Sequence, residues 1–195
     1  MSNYIYYIFN KPYNVLSQFT KEVPTHVTLK DYLDLPLDIY PIGRLDKDSE
    51  GLLLLTNDNE LKTKLLKPEK KSPKTYWAQV DGDITPAALE QLRRGVIIKL
   101  KRGPYETQPC HVDKIIPHNI EERDPPVRKR ASIPTSWIEI TIEEGKNRQI
   151  RKMCAKVGFP CLRLIRTRIA TLKFEDVRRG QHRALTPHEI EILKS

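Results

Sequence analysis

The chain has 195 residues, a formal charge of +9, and 38% hydrophobic against 30% charged side chains. That composition belongs to a soluble globular protein of one domain, or of two lobes sharing a sheet, and no apolar run approaches the ~20 residues needed to span a membrane. The basic balance points to a polyanionic partner, most simply nucleic acid.

Tyr4-Ile5-Tyr6-Tyr7-Ile8-Phe9 is rich in aromatic and β-branched residues and predicts a strand, which Asn10-Lys11-Pro12 ends. Val15-Leu16-Ser17-Gln18-Phe19 predicts a second, short strand. Thr28 can cap a short helix through Leu33, and Pro36 bars its extension. The apolar run Ile39-Tyr40-Pro41-Ile42 leads into Gly43-Arg44-Leu45-Asp46-Lys47-Asp48-Ser49-Glu50-Gly51, and then come Leu52-Leu53-Leu54-Leu55 and Thr56-Asn57-Asp58. Four leucines bounded by turn residues fit a strand buried on both faces. If the chain is extended from Arg44 to Asp46, these two side chains share one face. The guanidinium can then steer the carboxylate or lie along a bound phosphate. On composition alone, a solvated loop with a surface ion pair is the simpler reading.

Asp58 can cap a helix through Leu66, with Leu61 and Leu65 on its buried face. Lys67, Lys70, Lys71 and Lys74 around Pro68 and Pro73 make a basic loop, either a solvated linker or a nucleic-acid contact. Thr75–Val80 predicts a strand. Thr85-Pro86 starts a helix that Gly95 stops, with Leu89 and Leu92 as its buried stripe. Val96–Leu100 and Cys110–Ile116 predict further strands. From Pro117 to Ser136 the pattern gives way to prolines and charges, a loop long enough to be functional. Trp137–Ile142 alternates as a half-buried strand does. A helix follows from Asn147 to Val157, closed by Gly158. Ile150, Met153, Cys154 and Val157 gather on one side of it, Arg148, Lys152 and Lys156 on the other, and Arg151 at the border. Leu162–Ile169 predicts a strand with Arg166 and Arg168 on one face and Arg163 on the other. Thr186-Pro187-His188-Glu189 opens a last helix with a capping box.

Strands outnumber helices and lack regular βαβ alternation, so the expected class is α+β with a largely antiparallel sheet. Cys110, Cys154 and Cys161 form no C-x-x-C pair, and the five histidines are scattered. No metal site is expected, and a reduced, cytoplasmic setting is.

The wording of Gly43-Arg44-Leu45-Asp46, with Ser49, Gly51, the leucines and Thr56-Asn57-Asp58, closely resembles the signature of the pseudouridine synthases that modify ribosomal RNA. The resemblance extends to Lys74-Thr75-Tyr76 and to Glu144-Gly145-Lys146-Asn147-Arg148-Gln149-Ile150-Arg151-Lys152-Met153. It implies a pseudouridine synthase fold, a long mixed and mostly antiparallel sheet in two lobes with the active-site cleft between them. It makes Asp46 the essential catalytic residue, as nucleophile at C1′ or as base on the ribose, two options the sequence leaves open. It also places Tyr76 against the target base, Arg151 beside the aspartate, and Leu164 in the uracil pocket. Arg44 would fill the space the flipped base leaves, or hold the flipped backbone.

Arg148 and the cluster Arg128-Lys129-Arg130 in the Pro117–Ser136 loop are candidate RNA contacts. The implied reaction needs no cofactor and no metal. No room precedes Tyr4 for the small N-terminal RNA-binding module of many relatives, so residues 1–195 are expected to form a single catalytic domain, a monomer acting on large-subunit (23S) ribosomal RNA. Charge and basic loops fit a catalytically silent RNA-binding or ribosome-assembly factor on the same scaffold equally well. The complete Asp46–Tyr76–Arg151 set speaks for the enzyme.

Overall fold

Leu52, Leu53, Leu54 and Leu55 can all lie at 0% exposure only where apolar cores cover both faces of their strand. That strand anchors the first of two compact units, Met1–Ser72 with Arg166–Ser195; the second is Pro73–Ile165. The computed structural model describes residues 4–66, 72–127 and 132–195. In chain order the elements are β1 (Tyr6–Lys11), β2 (Tyr40–Ile42), β3 (Glu50–Thr56), α1 (Asn59–Leu66), β4 (Lys74–Asp81), α2 (Pro86–Arg94), β5 (Ile97–Leu100), β6 (Gly103–Glu106), β7 (His111–Ile115), β8 (Thr135–Ile142), α3 (Gln149–Lys156), β9 (Cys161–Ile169), β10 (Leu172–Lys173), β11 (His182–Ala184) and α4 (Pro187–Lys194). Among the described residues the class is α+β, as expected.

In the first unit β3 pairs antiparallel with β1, placing Leu55 opposite Tyr7 and Leu53 opposite Phe9, and with β2, placing Leu54 opposite Ile42. β11 pairs with β1 in turn. Strand alternation then sorts the leucines. Leu52 and Leu54 enter a core with Tyr6, Ile8, Ile42, Leu61 of α1 and Leu193 of α4. Leu53 and Leu55 enter another with Phe9, Val15, Leu29, Leu33 and Ile39. Burial of each leucine contributes roughly 1.5–3 kcal/mol. Gly51 sits at φ +99°, and a Cβ there would stand 2.3 Å from the Arg166 carbonyl oxygen, so no other residue fits.

Thr56-Asn57-Asp58, the end of the signature, is structural. The Thr56 hydroxyl donates to the Ile5 carbonyl (2.6 Å), and Asn57 Oδ1 accepts from the Ile5 N–H (2.9 Å). Asp58 caps α1 by accepting from the Leu61 N–H (2.9 Å) and also accepts from the Tyr6 hydroxyl (2.7 Å). Burial opposes its charge, but those donors and Lys194 outweigh it and hold the carboxyl below the usual carboxylate range. Asp58→Ala is expected to lower stability by about 1–2 kcal/mol, the usual cost of a lost cap, as read by urea unfolding. No change in the midpoint would show that the cap carries no weight.

In the second unit β8 lies between β4 and β7, with Ile140 opposite both Tyr76 and Val112. Thr85 caps α2 through the Ala88 N–H, and Gly95 ends it at φ +95°. The described part of the Pro117–Ser136 insertion is irregular up to Thr135, where β8 begins. Contacts with the neighbouring strands tie it down. Arg163 donates to the Glu121 carbonyl (3.1 Å), and the rings of Trp77 and His118 meet edge-on at 5.4 Å. Beneath the insertion is a cavity of about 790 Å³, lined by residues that include Gln79, Trp137, Arg163, Glu121 and Arg123.

Several expectations are corrected. Val15–Phe19 is no strand: Leu16 makes a single parallel bridge to Thr28, and Ser17 turns its side chain to another task described below. Thr28 opens only a 3-10 turn, Leu29–Asp31. The helix expected from Asn147 begins at Gln149, because Arg148 takes the left-handed conformation (φ 52°). β6, β10 and β11 were not foreseen. The lysines at 67, 70 and 71 lie outside the described residues.

Candidate active site

Residues 43–49 connect β2 to β3, which pair as a hairpin. Leu45 points inward and is 7% exposed, while Arg44 is exposed and Asp46 half-buried, so these two share the outer face as an extended chain requires. A turn follows, closed by the Ser49 N–H donating to the Asp46 carbonyl (3.0 Å). Ser49 itself is 1% exposed, and its hydroxyl has no hydrogen-bond partner among the described residues.

The surroundings of this loop hold three residues that sequence reasoning passed over as site residues. Lys11, at the end of β1, is 0% exposed. Its Nζ donates to the carbonyls of Val15 (2.7 Å), Pro12 (3.0 Å) and Lys47 (3.4 Å). Ser17 holds Leu45 from the other side. Arg166 of β9, 2% exposed, spans the base of the hairpin, its Nε donating to the Leu52 carbonyl (2.7 Å) and a terminal nitrogen to that of Gly43 (3.0 Å). The available signal was a cation in line with apolar residues of its strand, Lys11 after Tyr7 and Phe9, and Arg166 after Leu162 and Leu164.

Burial pushes the Lys11 ammonium down to about 7, against the opposing pull of the Glu50 and Asp48 carboxylates, with Arg166 lowering it further and Asp46 raising it. An unfolded lysine keeps its proton up to about pH 10.4. Between roughly pH 7 and 10 the unfolded chain therefore binds more protons at this site than the folded one. Stability from Lys11 is expected to rise with pH across that window, by at most about 1.4 kcal/mol per unit. In Lys11→Met this component of the slope should vanish when urea unfolding is followed from pH 7 to 10, and equal slopes in the two proteins would refute it.

The remaining candidates belong to the second unit. Tyr76 lies in β4, 8% exposed, and Leu164 in β9, 6% exposed. Arg148 is exposed at the start of α3. Arg151, half-buried in the first turn of α3, donates to the Cys161 carbonyl (3.2 Å) and lies 3.8 Å from the Cys161 Sγ. Other members of the same sequence motif are structural. Glu144 accepts from the Gln108 N–H (2.9 Å), from the Gln149 side-chain amide (2.5 Å) and from the Tyr105 hydroxyl. That last bond, with burial and the charge of Glu144, pushes Tyr105 up to about 12. Arg128, Lys129 and Arg130 lie outside the described residues. Arg44 and Asp46 thus lie in the first unit, and Tyr76, Arg148, Arg151 and Leu164 in the second.

A family model for RNA pseudouridylate synthase matches residues 5–156. The chain is 53% identical over 174 residues to a ribosomal large subunit pseudouridine synthase E of Vibrio parahaemolyticus, covering 89% of this chain and 71% of that protein. It is 46% identical over 178 residues to the protein of the same name from Xanthomonas campestris, covering 90% and 92%. The fold matches a crystal structure of a pseudouridylate synthase with a TM-score of 0.79 over 99% of this chain and 75% of that one, at 24% identity.

Proposed function

The chain belongs to the RNA pseudouridylate synthase family, and from that premise we propose that it isomerises a uridine of ribosomal RNA, in the large subunit (23S), to pseudouridine, with Asp46 as the catalytic group. The observation that carries the reading is a half-buried carboxylate on a loop whose two neighbouring residues are held through their backbone, Leu45 by the buried Ser17 hydroxyl and Lys47 by the Asn14 N–H, in a chain 53% identical to a relative named for this reaction. Catalytic loops need such support from a rigid scaffold.

The reaction breaks the N1–C1′ bond, turns the uracil, and forms C5–C1′. The C5 hydrogen leaves as a proton and N1 gains one, so the product is an isomer. A buried base must first leave its stack, at a cost of a few kcal/mol. Basic contacts to the backbone offset this cost; in the proposal Arg44, Arg148 and Arg128-Lys129-Arg130 supply them. Tyr76 and Leu164 flank the uracil, and Arg151 serves the carboxylate. Asp46 has two routes, direct attack at C1′ or removal of a ribose proton to give a glycal. The protein works as a monomer in the cytoplasm without a cofactor.

Because C5 exchanges its hydrogen for carbon, large-subunit ribosomal RNA transcribed with 5-tritiated uridine should release tritium on incubation with the protein. Chemical mapping of the product should show one new pseudouridine. Tight binding with no tritium released would instead favour a silent RNA-binding factor.

A further inference from the structure

The residues on either side of Asp46 are held by a segment that no role has claimed. The Ser17 hydroxyl donates to the Leu45 carbonyl (2.8 Å) and accepts from the Leu45 N–H (3.2 Å), so both backbone groups of the preceding residue are fixed by one buried side chain. On the following side, the Asn14 N–H donates to the Lys47 carbonyl (2.9 Å). Asn14 can present that N–H because residues 12–15 form a tight turn, with Asn14 itself at φ 65°. Lys11 holds the turn together, with Nζ on the Pro12 and Val15 carbonyls, and reaches Lys47 at 3.4 Å.

We propose that residues Lys11–Ser17 form a backbone clamp that sets the position of Asp46, with Ser17 and Lys11 as positioning residues for the isomerisation. The proposal rests on the reading of Asp46 as the catalytic group. Its physical basis is that the clamp's hydrogen bonds are made to the peptide groups of Leu45 and Lys47 rather than to the Asp46 carboxylate. A loop residue fixed at one neighbour can still swing about the other, whereas fixing both removes that freedom before RNA arrives. A misplacement of about 1 Å at a reacting group can cost on the order of 100-fold in rate. The charged groups about the Lys11 ammonium are Glu50, Asp48, Arg166 and Asp46, three of them on the clamped loop or the strand it enters. The ammonium is thus placed to join the carbonyls of the turn to that of Lys47 and to balance the loop's carboxylates together.

The test uses the full chain with tritiated large-subunit ribosomal RNA, under single turnover at saturating protein. Ser17→Ala removes the hydroxyl, Ser17→Thr keeps it, and Lys11→Met keeps the aliphatic stem while removing the donors. Ser17→Ala and Lys11→Met are expected to lower the rate constant by roughly 10- to 100-fold at unchanged RNA affinity and unchanged reaction amplitude, and Ser17→Thr to recover most of the rate. A merely structural role would lower the amplitude, the fraction of folded protein, and leave the rate constant of the remainder intact; that outcome overturns the clamp. So does a parental rate in both variants. If Ser17→Ala does not fold, Lys11→Met decides alone. Asp46→Asn, run beside them, separates the two layers. If it is inactive while Ser17→Ala reacts normally, the clamp alone fails. If Asp46→Asn reacts, the functional reading beneath the clamp is lost.

Discussion

Asp46→Asn is expected to abolish release of tritium from uridine-labelled ribosomal RNA, a loss of at least about 1000-fold, while RNA binding is kept or slightly tightened. The substitution preserves the size and planarity of a half-buried side chain and leaves untouched the backbone contacts made at Leu45, Lys47 and Ser49. What it removes is the negative charge and the lone pair of a carboxylate, needed whether the group attacks C1′ or takes a ribose proton. Removing a carboxylate from a surface that meets phosphates cannot weaken electrostatic binding. The experiment is a single-turnover assay and a binding titration on the same RNA. Turnover within tenfold of the parent would overturn the assignment of Asp46, and a parallel loss of binding would point to a folding defect instead.

How far such a site can be read from one sequence depends on whether its parts are local. The β3 leucines were legible because burial on both faces needs no partner to be named; two cores are implied by the run itself. The caps at Asp58, Thr85 and Thr186 were legible for the same reason, since each side chain bonds a backbone group three residues on. Asp46, Tyr76 and Arg151 were singled out by the resemblance of their motifs, and the family match supports that resemblance over residues 5–156. Their spacing alone would have left Tyr76 as a core residue and Arg44 with Asp46 as a surface pair.

The parts that stayed hidden act across long separations. Lys11 reaches Lys47 over 36 residues, Ser17 reaches Leu45 over 28, and Arg166 reaches Gly43 over 123. No local period records such pairs. The failed strand at Val15–Phe19 has the same origin. Its side chains favour an extended chain, but Val15 packs into the core, the Ser17 hydroxyl is committed to Leu45, and the Leu16 N–H to the Val27 carbonyl. Tertiary contacts outweighed local preference there. At α3 the preference for helix yielded to a turn, where Gln149 bonds the Lys146 N–H through its side chain and donates its own N–H to the Lys146 carbonyl.

Arg151 and Lys156 stand on the same short helix and should respond differently when replaced. Arg151 is half-buried, its guanidinium bonded to the Cys161 carbonyl, whereas Lys156 is exposed at the helix's end. A lysine whose only use is to meet phosphate contributes a salt-dependent increment of affinity. Its loss reduces the salt slope by roughly 0.7–0.9 and leaves the chemical step alone. An arginine that serves the catalytic carboxylate acts after binding, so its loss appears in the rate with RNA already bound. On the role proposed for it, Arg151→Ala is expected to lower the single-turnover rate at saturating RNA by at least about 100-fold. Affinity should change less than about threefold, because the phosphate-binding cations stay in place. Lys156→Ala should react at the parental rate and show only the binding defect. The hydrogen bond to Cys161 offers another explanation for damage, because it ties α3 to the start of β9. Arg151→Lys separates the two. Lysine keeps a positive charge and can still bond the Cys161 carbonyl, but it lacks the planar fork that grips a carboxylate at two points. A slow Arg151→Lys with parental thermal stability assigns the arginine to the carboxylate. Full recovery of rate in Arg151→Lys would reduce its role to tying the helix to the strand.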